Sequence, residues 1–168
     1  MRLIARSRLS LGTLALVTAV AAAAAVGIFF VLDRSSGALL KAGDASVVGR
    51  GQGVYLENCA SCHGRDLKGQ PDWKSPDNEG FLPAPPHDAS GHTWHHPDRV
   101  LFDVTKVGVA KAANLKNYKT RMPAYENLLE DDEIIAALSY IKSTWSEDMR
   151  RRHDQMNRAD KRKMRSNP

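Results

Sequence analysis

Cys59-Ala60-Ser61-Cys62-His63 sets two thiols three positions apart, with a histidine directly after the second. That is the attachment signature of c-type haem. The two thiols add across the two vinyl groups of the porphyrin and form two thioether bonds. On a helical turn, positions 59 and 62 share a face and reach both vinyls. His63 then offers its imidazole to the iron as the proximal ligand. These are the only two cysteines of the 168-residue chain, so no other use of cysteine competes for the motif. Zinc would want a second ligand pair at comparable spacing, and a thioredoxin-like site would want a flanking βαβ pattern. Neither is present in the sequence.

The residues around the motif extend the reading. Val54, Tyr55 and Cys59 recur at helical spacing, so residues 51–62 read as a helix ending at the haem. Gly51-Gln52-Gly53-Val54-Tyr55-Leu56-Glu57-Asn58-Cys59-Ala60-Ser61-Cys62-His63-Gly64 resembles the N-terminal helix and haem site of class I cytochromes c. The resemblance implies that a glycine at Gly51 lets this helix cross a C-terminal helix closely, with Tyr55 packed in the crossing. The physical reason is independent of the family: only glycine lets two backbones meet with no Cβ between them.

Residues 65–93 hold Pro71, Pro76, Pro83, Pro85 and Pro86, a density that no helix survives. This reads as a long loop wrapping one edge of the haem, since long ordered loops usually carry a function. The resemblance implies that a proline carbonyl in such a loop accepts the Nδ1 proton of the haem histidine and raises its basicity. Pro83, Pro85 and Pro86 are equal candidates.

His87, His92, His95 and His96 crowd the end of that loop. They allow a second metal site, for instance for copper, or a hydrogen bond from histidine or Trp94 to a haem propionate. The simpler reading is a helix start, with Pro97 as first helical residue and Asp98 at the positive helix end. Residues 97–107 then form an amphipathic helix with Val100, Leu101, Val104 and Val107 on one face, ended by Gly108. Residues 109–120 are a lysine-bearing loop leading to Arg121-Met122-Pro123. The class I pattern places its distal ligand here, which makes Met122 the second axial ligand. A thioether is soft, favours Fe(II) and raises the reduction potential, and Pro123 stiffens its loop. A histidine from 87–96 is the competing ligand. After that, residues 129–133 open a last helix with acids at its positive end. Ile134, Ala137, Leu138, Ile141 and Trp145 form its apolar stripe.

The two ends differ from the middle. Residues 9–32 are 24 positions without a charge, preceded by Arg2, Arg6 and Arg8 and followed by Asp33. As a helix they reach roughly 36 Å, enough for a hydrocarbon core of about 30 Å. The positive-inside rule puts residue 1 in the cytoplasm and the haem domain outside. A cleaved signal peptide is the rival, with Ala23-Ala24-Ala25 as its cleavage site. Cleavage there would leave a bulky apolar N-terminus, and the run exceeds the usual signal core, which favours an uncleaved anchor. Either way the domain is exported to the side where covalent haem attachment occurs in bacteria.

The net charge of +5 divides into +3 over residues 1–48, −2 over 49–145 and +4 over 146–168. A mildly acidic middle with no basic stripe excludes nucleic-acid binding as the role of that domain. The charged tail holds too little apolar surface to fold alone. It reads as a solvated helix or a disordered tail, with anionic lipid headgroups as one possible contact.

These readings combine into an all-α cytochrome c fold of three to four helices around one covalently attached haem c, with an N-terminal transmembrane helix. The expected segments are an anchor at 1–33, a linker at 34–48, the haem domain at 49–145 and the tail at 146–168. Cys59 and Cys62 hold the haem, and His63 and Met122 fill both axial positions, which suits electron carriage and not enzymatic turnover. The expected setting is the cytoplasmic membrane with the domain on its periplasmic face, and the expected partners are membrane-bound or periplasmic redox proteins. The competing classes are a haem-based sensor or haem enzyme with a labile distal ligand, and a metal-handling protein built on the histidine cluster. The resemblance extends, more loosely, to membrane-anchored monohaem bacterial cytochromes.

Overall fold

The structure is a computed structural model that describes residues 38–166. The expected anchor at 1–33 lies outside the described residues. Among the described residues, no helix is long and apolar enough to cross a membrane.

Six α-helices and one 3-10 turn make up the domain, and no strand occurs among the described residues: α1 (Ala45–Asn58), α2 (Ala60–His63), the 3-10 turn Thr93–His95, α3 (Asp98–Val107), α4 (Val109–Ala112), α5 (Asp131–Ser143) and α6 (Glu147–Ser166). The expected three to four helices correspond to α1, α3 and α5. The excess consists of two single turns, α2 and α4, and the tail helix α6.

Helix α1 begins six residues before Gly51, because Asp44 caps it. The Asp44 carboxylate accepts from the amides of Ser46 and Val47 at 3.0 and 3.2 Å, satisfying two donors that the helix leaves orphaned. Helix α5 is closed by a reciprocal capping box between Glu130 and Glu133, with Asp131 and Asp132 also at its positive end. Gly108, at φ +84°, ends α3 in a conformation other residues rarely adopt.

The core sits where α1 crosses α5. At Gly51 the helices touch backbone to backbone: a Cβ would lie 1.9 Å from the Ala136 carbonyl oxygen. Tyr55 fills the crossing, fully buried, with its ring 5.5 Å from that of Tyr140 and its hydroxyl donating to the Gly64 carbonyl at 2.8 Å. The expected stripe of α5 is buried along its whole length, from Ile134 to Trp145. Leu101 of α3 and Tyr125 pack against the same core.

Two segments differ from expectation. Part of the segment read as a linker packs on the domain: Leu40 is buried, its amide donates to the Asp98 carboxylate at 3.1 Å, and the Lys41 amide donates to Ser139 Oγ at 2.8 Å. The tail read as a solvated helix or a disordered tail is a helix, but its first half is docked on the domain and not solvated. His153 of α6 is completely buried, and its Nε2 donates to the His96 carbonyl at 2.8 Å. Asn157 exchanges two hydrogen bonds with Asp98, at 2.7 and 2.9 Å. Lys142 of α5, buried with Asp98, reaches Asp154 at 2.6 Å and Asp98 at 3.6 Å. The helix therefore docks through polar groups, which a count of apolar residues does not register. Beyond Asp160 it is exposed.

Candidate haem site

The attachment motif occupies the joint between α1 and α2. Cys59 closes α1, with its amide bonded to the Tyr55 carbonyl at 2.9 Å, and the His63 amide returns to the Cys59 carbonyl at 2.9 Å. This single tight turn brings both thiols and the imidazole to one end of α1. Cys59 is half-buried and Cys62 is exposed. Burial pushes the Cys59 thiol up to about 11, and Gly64 at φ +79° turns the chain away.

His63 is buried, and its Nδ1 lies 2.9 Å from the Pro85 carbonyl oxygen. A carbonyl only accepts, so the ring proton is on Nδ1 and the Nε2 lone pair is left for a metal. Burial also pushes the imidazole below its ordinary 6.5, keeping it in the neutral form that binds iron. Of the three prolines the sequence left open, the fold thus selects Pro85. The selection comes from how the loop folds on itself. Gly69 takes φ +66°, and a Cβ there would lie 2.5 Å from the Ala84 carbonyl oxygen. The Gly69 amide holds the His63 carbonyl at 2.8 Å, the Gln70 amide the Ala84 carbonyl at 2.9 Å, and the His87 amide the Leu67 carbonyl at 2.7 Å. Residues 67–70 and 84–87 are thereby locked together beside His63.

Met122 is partly buried and lines the same cleft as Cys59 and His63. The cleft wall opposite the loops is apolar, formed by Ala137, Leu138 and Ile141 of α5. Just downstream of Met122, the Tyr125 and Glu126 amides bond to the Thr105 and Lys106 carbonyls of α3 at 3.1 and 2.9 Å. The Tyr125 hydroxyl donates to the Asn58 carbonyl at 2.7 Å, so the methionine segment is tied to the helix that carries the cysteines.

The histidine cluster divides. His87 is half-buried and stacks on His63, with ring centroids 4.1 Å apart and an interplanar angle of 21°. Burial, then the neighbouring His63 and His92, holds it well below the ordinary histidine range. It stands beside the haem histidine and not across from it. His92 and His96 approach each other at 3.1 Å, with Trp73 stacked on His92. His96 also gives its carbonyl to His153. Among the described residues, no three His, Cys, Asp or Glu side chains come together as a metal site. The helix start is as expected to within one residue, with Pro97 in the cap position and Asp98 first in α3.

Two supports have no signature in the chain. The Trp145 indole donates to the His87 carbonyl at 2.8 Å, and Thr93 Oγ1 lies 2.8 Å from His87 Nδ1. The first joins residues 58 positions apart and the second residues six apart within one loop, and neither follows a helical or strand period.

The residues present fit a covalently held haem. The Cys59 thiol, the His63 imidazole and the Met122 thioether border a largely apolar cleft, and Cys62 lies one helical turn on from Cys59, exposed. The Trp94 indole N–H is buried without a partner, unlike any other buried side-chain polar atom among the described residues. An unpaired buried donor costs stability, and a propionate carboxylate would satisfy it.

The sequence model of the cytochrome c family matches residues 48–145, more than half of the chain. No curated protein sequence and no solved structure matches the chain. With its attachment turn, its histidine polarised by a proline carbonyl and this family match, the chain belongs to the cytochrome c family, which implies covalently attached haem c.

Proposed function

We propose that this protein is a one-electron carrier held at the outer face of the cytoplasmic membrane, with His63 and Met122 as the two axial ligands. The observation that carries the reading is the pairing of donors in one cleft: His63 has only Nε2 free, and Met122 borders the same space. When bound, haem supplies the redox chemistry, its iron alternating between Fe(III) and Fe(II). Cys59 and Cys62 fix the group covalently, the Pro85 carbonyl strengthens His63 as a donor, and the apolar wall of α5 excludes water. His63 and Met122 would together hold the iron and leave no position for a substrate, which favours electron carriage over catalysis. Exposed Cys62 marks the edge at which a partner approaches. The uncharged run at 9–32 supports a membrane tether, and a tether confines the carrier to a thin layer shared with membrane-bound or periplasmic redox partners, which raises its effective concentration there.

The test is the absorption spectrum of the purified oxidised and reduced protein, with and without carbon monoxide, beside the Met122→Ala variant. A weak near-infrared sulfur-to-iron band and no carbon monoxide response are expected for the native protein. The variant loses the band, binds carbon monoxide and has a lower potential. An identical spectrum and potential in the variant would remove Met122 from the iron.

A further inference from the structure

The segment carrying Met122 is fixed by main chain on one side only. Downstream, Tyr125 and Glu126 bond to α3. Upstream, residues 116–124 take part in no backbone–backbone hydrogen bond among the described residues. The Met122 amide bonds only to its neighbour Thr120 Oγ1, at 3.0 Å.

What holds the upstream side is a pair of side chains. The Arg121 guanidinium donates through Nη1 to Asp77 Oδ2 at 2.5 Å and through Nη2 to Glu79 Oε2 at 2.7 Å. It also lies over the Phe81 ring, 4.0 Å from the centroid. Lys119 donates to the Glu79 carbonyl at 2.8 Å. The receiving turn, residues 77–81, is closed on itself. Asp77 Oδ1 accepts from the Glu79 and Phe81 amides, each at 2.9 Å, and the Asp77 amide bonds to the Phe81 carbonyl at 2.9 Å. An isolated exposed ion pair contributes little. Here a planar guanidinium meets two carboxylates and a ring presented by one preformed turn, the geometry in which arginine is not replaced by lysine without loss.

We propose that Arg121 is a positioning residue: its clasp on the turn 77–81 holds Met122 in place and sets how often the sixth coordination position opens. The proposal rests on the reading of Met122 as axial ligand. An external ligand binds only the open form, so its apparent affinity scales with the open fraction. Loosening the clasp raises that fraction without removing the sulfur.

The test uses the holoproteins with imidazole as the probe, titrated into the oxidised form while the sulfur-to-iron band is followed. Arg121→Gln is expected to bind imidazole about fivefold more tightly than the native protein, while retaining the band without imidazole. Asp77→Asn moves in the same direction, and Arg121→Lys recovers part of the native affinity. Arg50→Gln removes the exposed ion pair between α1 and α5 at Asp132 and is expected to leave imidazole affinity unchanged. Native affinity in Arg121→Gln, or an equal rise in Arg50→Gln, would overturn the clasp. Met122→Ala separates this from failure of the underlying reading: if that variant changes neither band nor affinity, Met122 is not the ligand and the clasp has nothing to hold.

Discussion

Gly51 of α1 lies against the Ala136 carbonyl of α5 so closely that a Cβ on Gly51 would be 1.9 Å from the oxygen and 2.4 Å from the carbon. The obstacle is backbone, which cannot rotate away as a side chain can. Gly51→Ala must therefore push the two helices apart and open the crossing where Tyr55 is buried. Overpacking of this kind is expected to cost about 3 kcal/mol. Guanidinium unfolding of the holoprotein measures it, and a loss within about 0.5 kcal/mol, the scatter of neutral surface substitutions, would mean that the crossing is not tight.

Lys142 is buried between Asp98 and Asp154, at 3.6 and 2.6 Å. Its removal leaves the buried Asp98 carboxylate with only neutral donors, the Leu40 amide and the Asn157 side chain. Breaking a buried ion pair from one side is costly, so Lys142→Met is expected to destabilise the fold by about 3 kcal/mol. Denaturant unfolding with α6 followed by limited proteolysis is the measurement. Continued protease resistance of residues 147–160 in the variant would show that the ion pair does not hold α6.

Burial, reinforced by the positive Lys142, holds His153 below its ordinary 6.5, against the opposing pull of Asp98, Asp154 and the His96 carbonyl. In the window below about 6.5 the unfolded chain binds a proton at this residue and the folded chain does not. Stability from His153 is therefore complete above about 6.5 and declines as the pH falls from there towards the folded value. Melting temperatures at about pH 7.5 and about pH 5.5 test this. His153→Gln, which keeps a donor but cannot titrate, is expected to show a smaller drop than the native protein. An equal drop would assign the pH dependence to other groups.

Trp94 carries a buried indole N–H without a partner in the protein. If a haem propionate accepts it, Trp94→Phe removes a charge-assisted hydrogen bond and lowers the stability of the holoprotein by about 2 kcal/mol. Chemical unfolding followed through the haem absorption reads this directly. Unchanged stability would mean that no carboxylate reaches the indole.

Elements whose cause is local are legible in the chain. The attachment turn is legible because two thiols and a histidine must be covalently and coordinatively spaced within one helical turn. The stripe from Ile134 to Trp145 is legible because the period of a helix forces it, and the proline-rich loop because proline forbids a helix. Tertiary structure alone decided the choices made between remote segments. Three prolines offered a carbonyl, and Pro85 bonds to His63 because Gly69 lets residues 67–70 lie against 84–87. Residues 146–168 lack an apolar stripe, yet α6 docks because His153 and Asn157 meet the His96 carbonyl and Asp98 at the start of α3. Covalent spacing and helical period act between near neighbours and leave a pattern in the chain. A hydrogen bond between residues 57 positions apart, such as that of His96 and His153, leaves none until the backbone has folded.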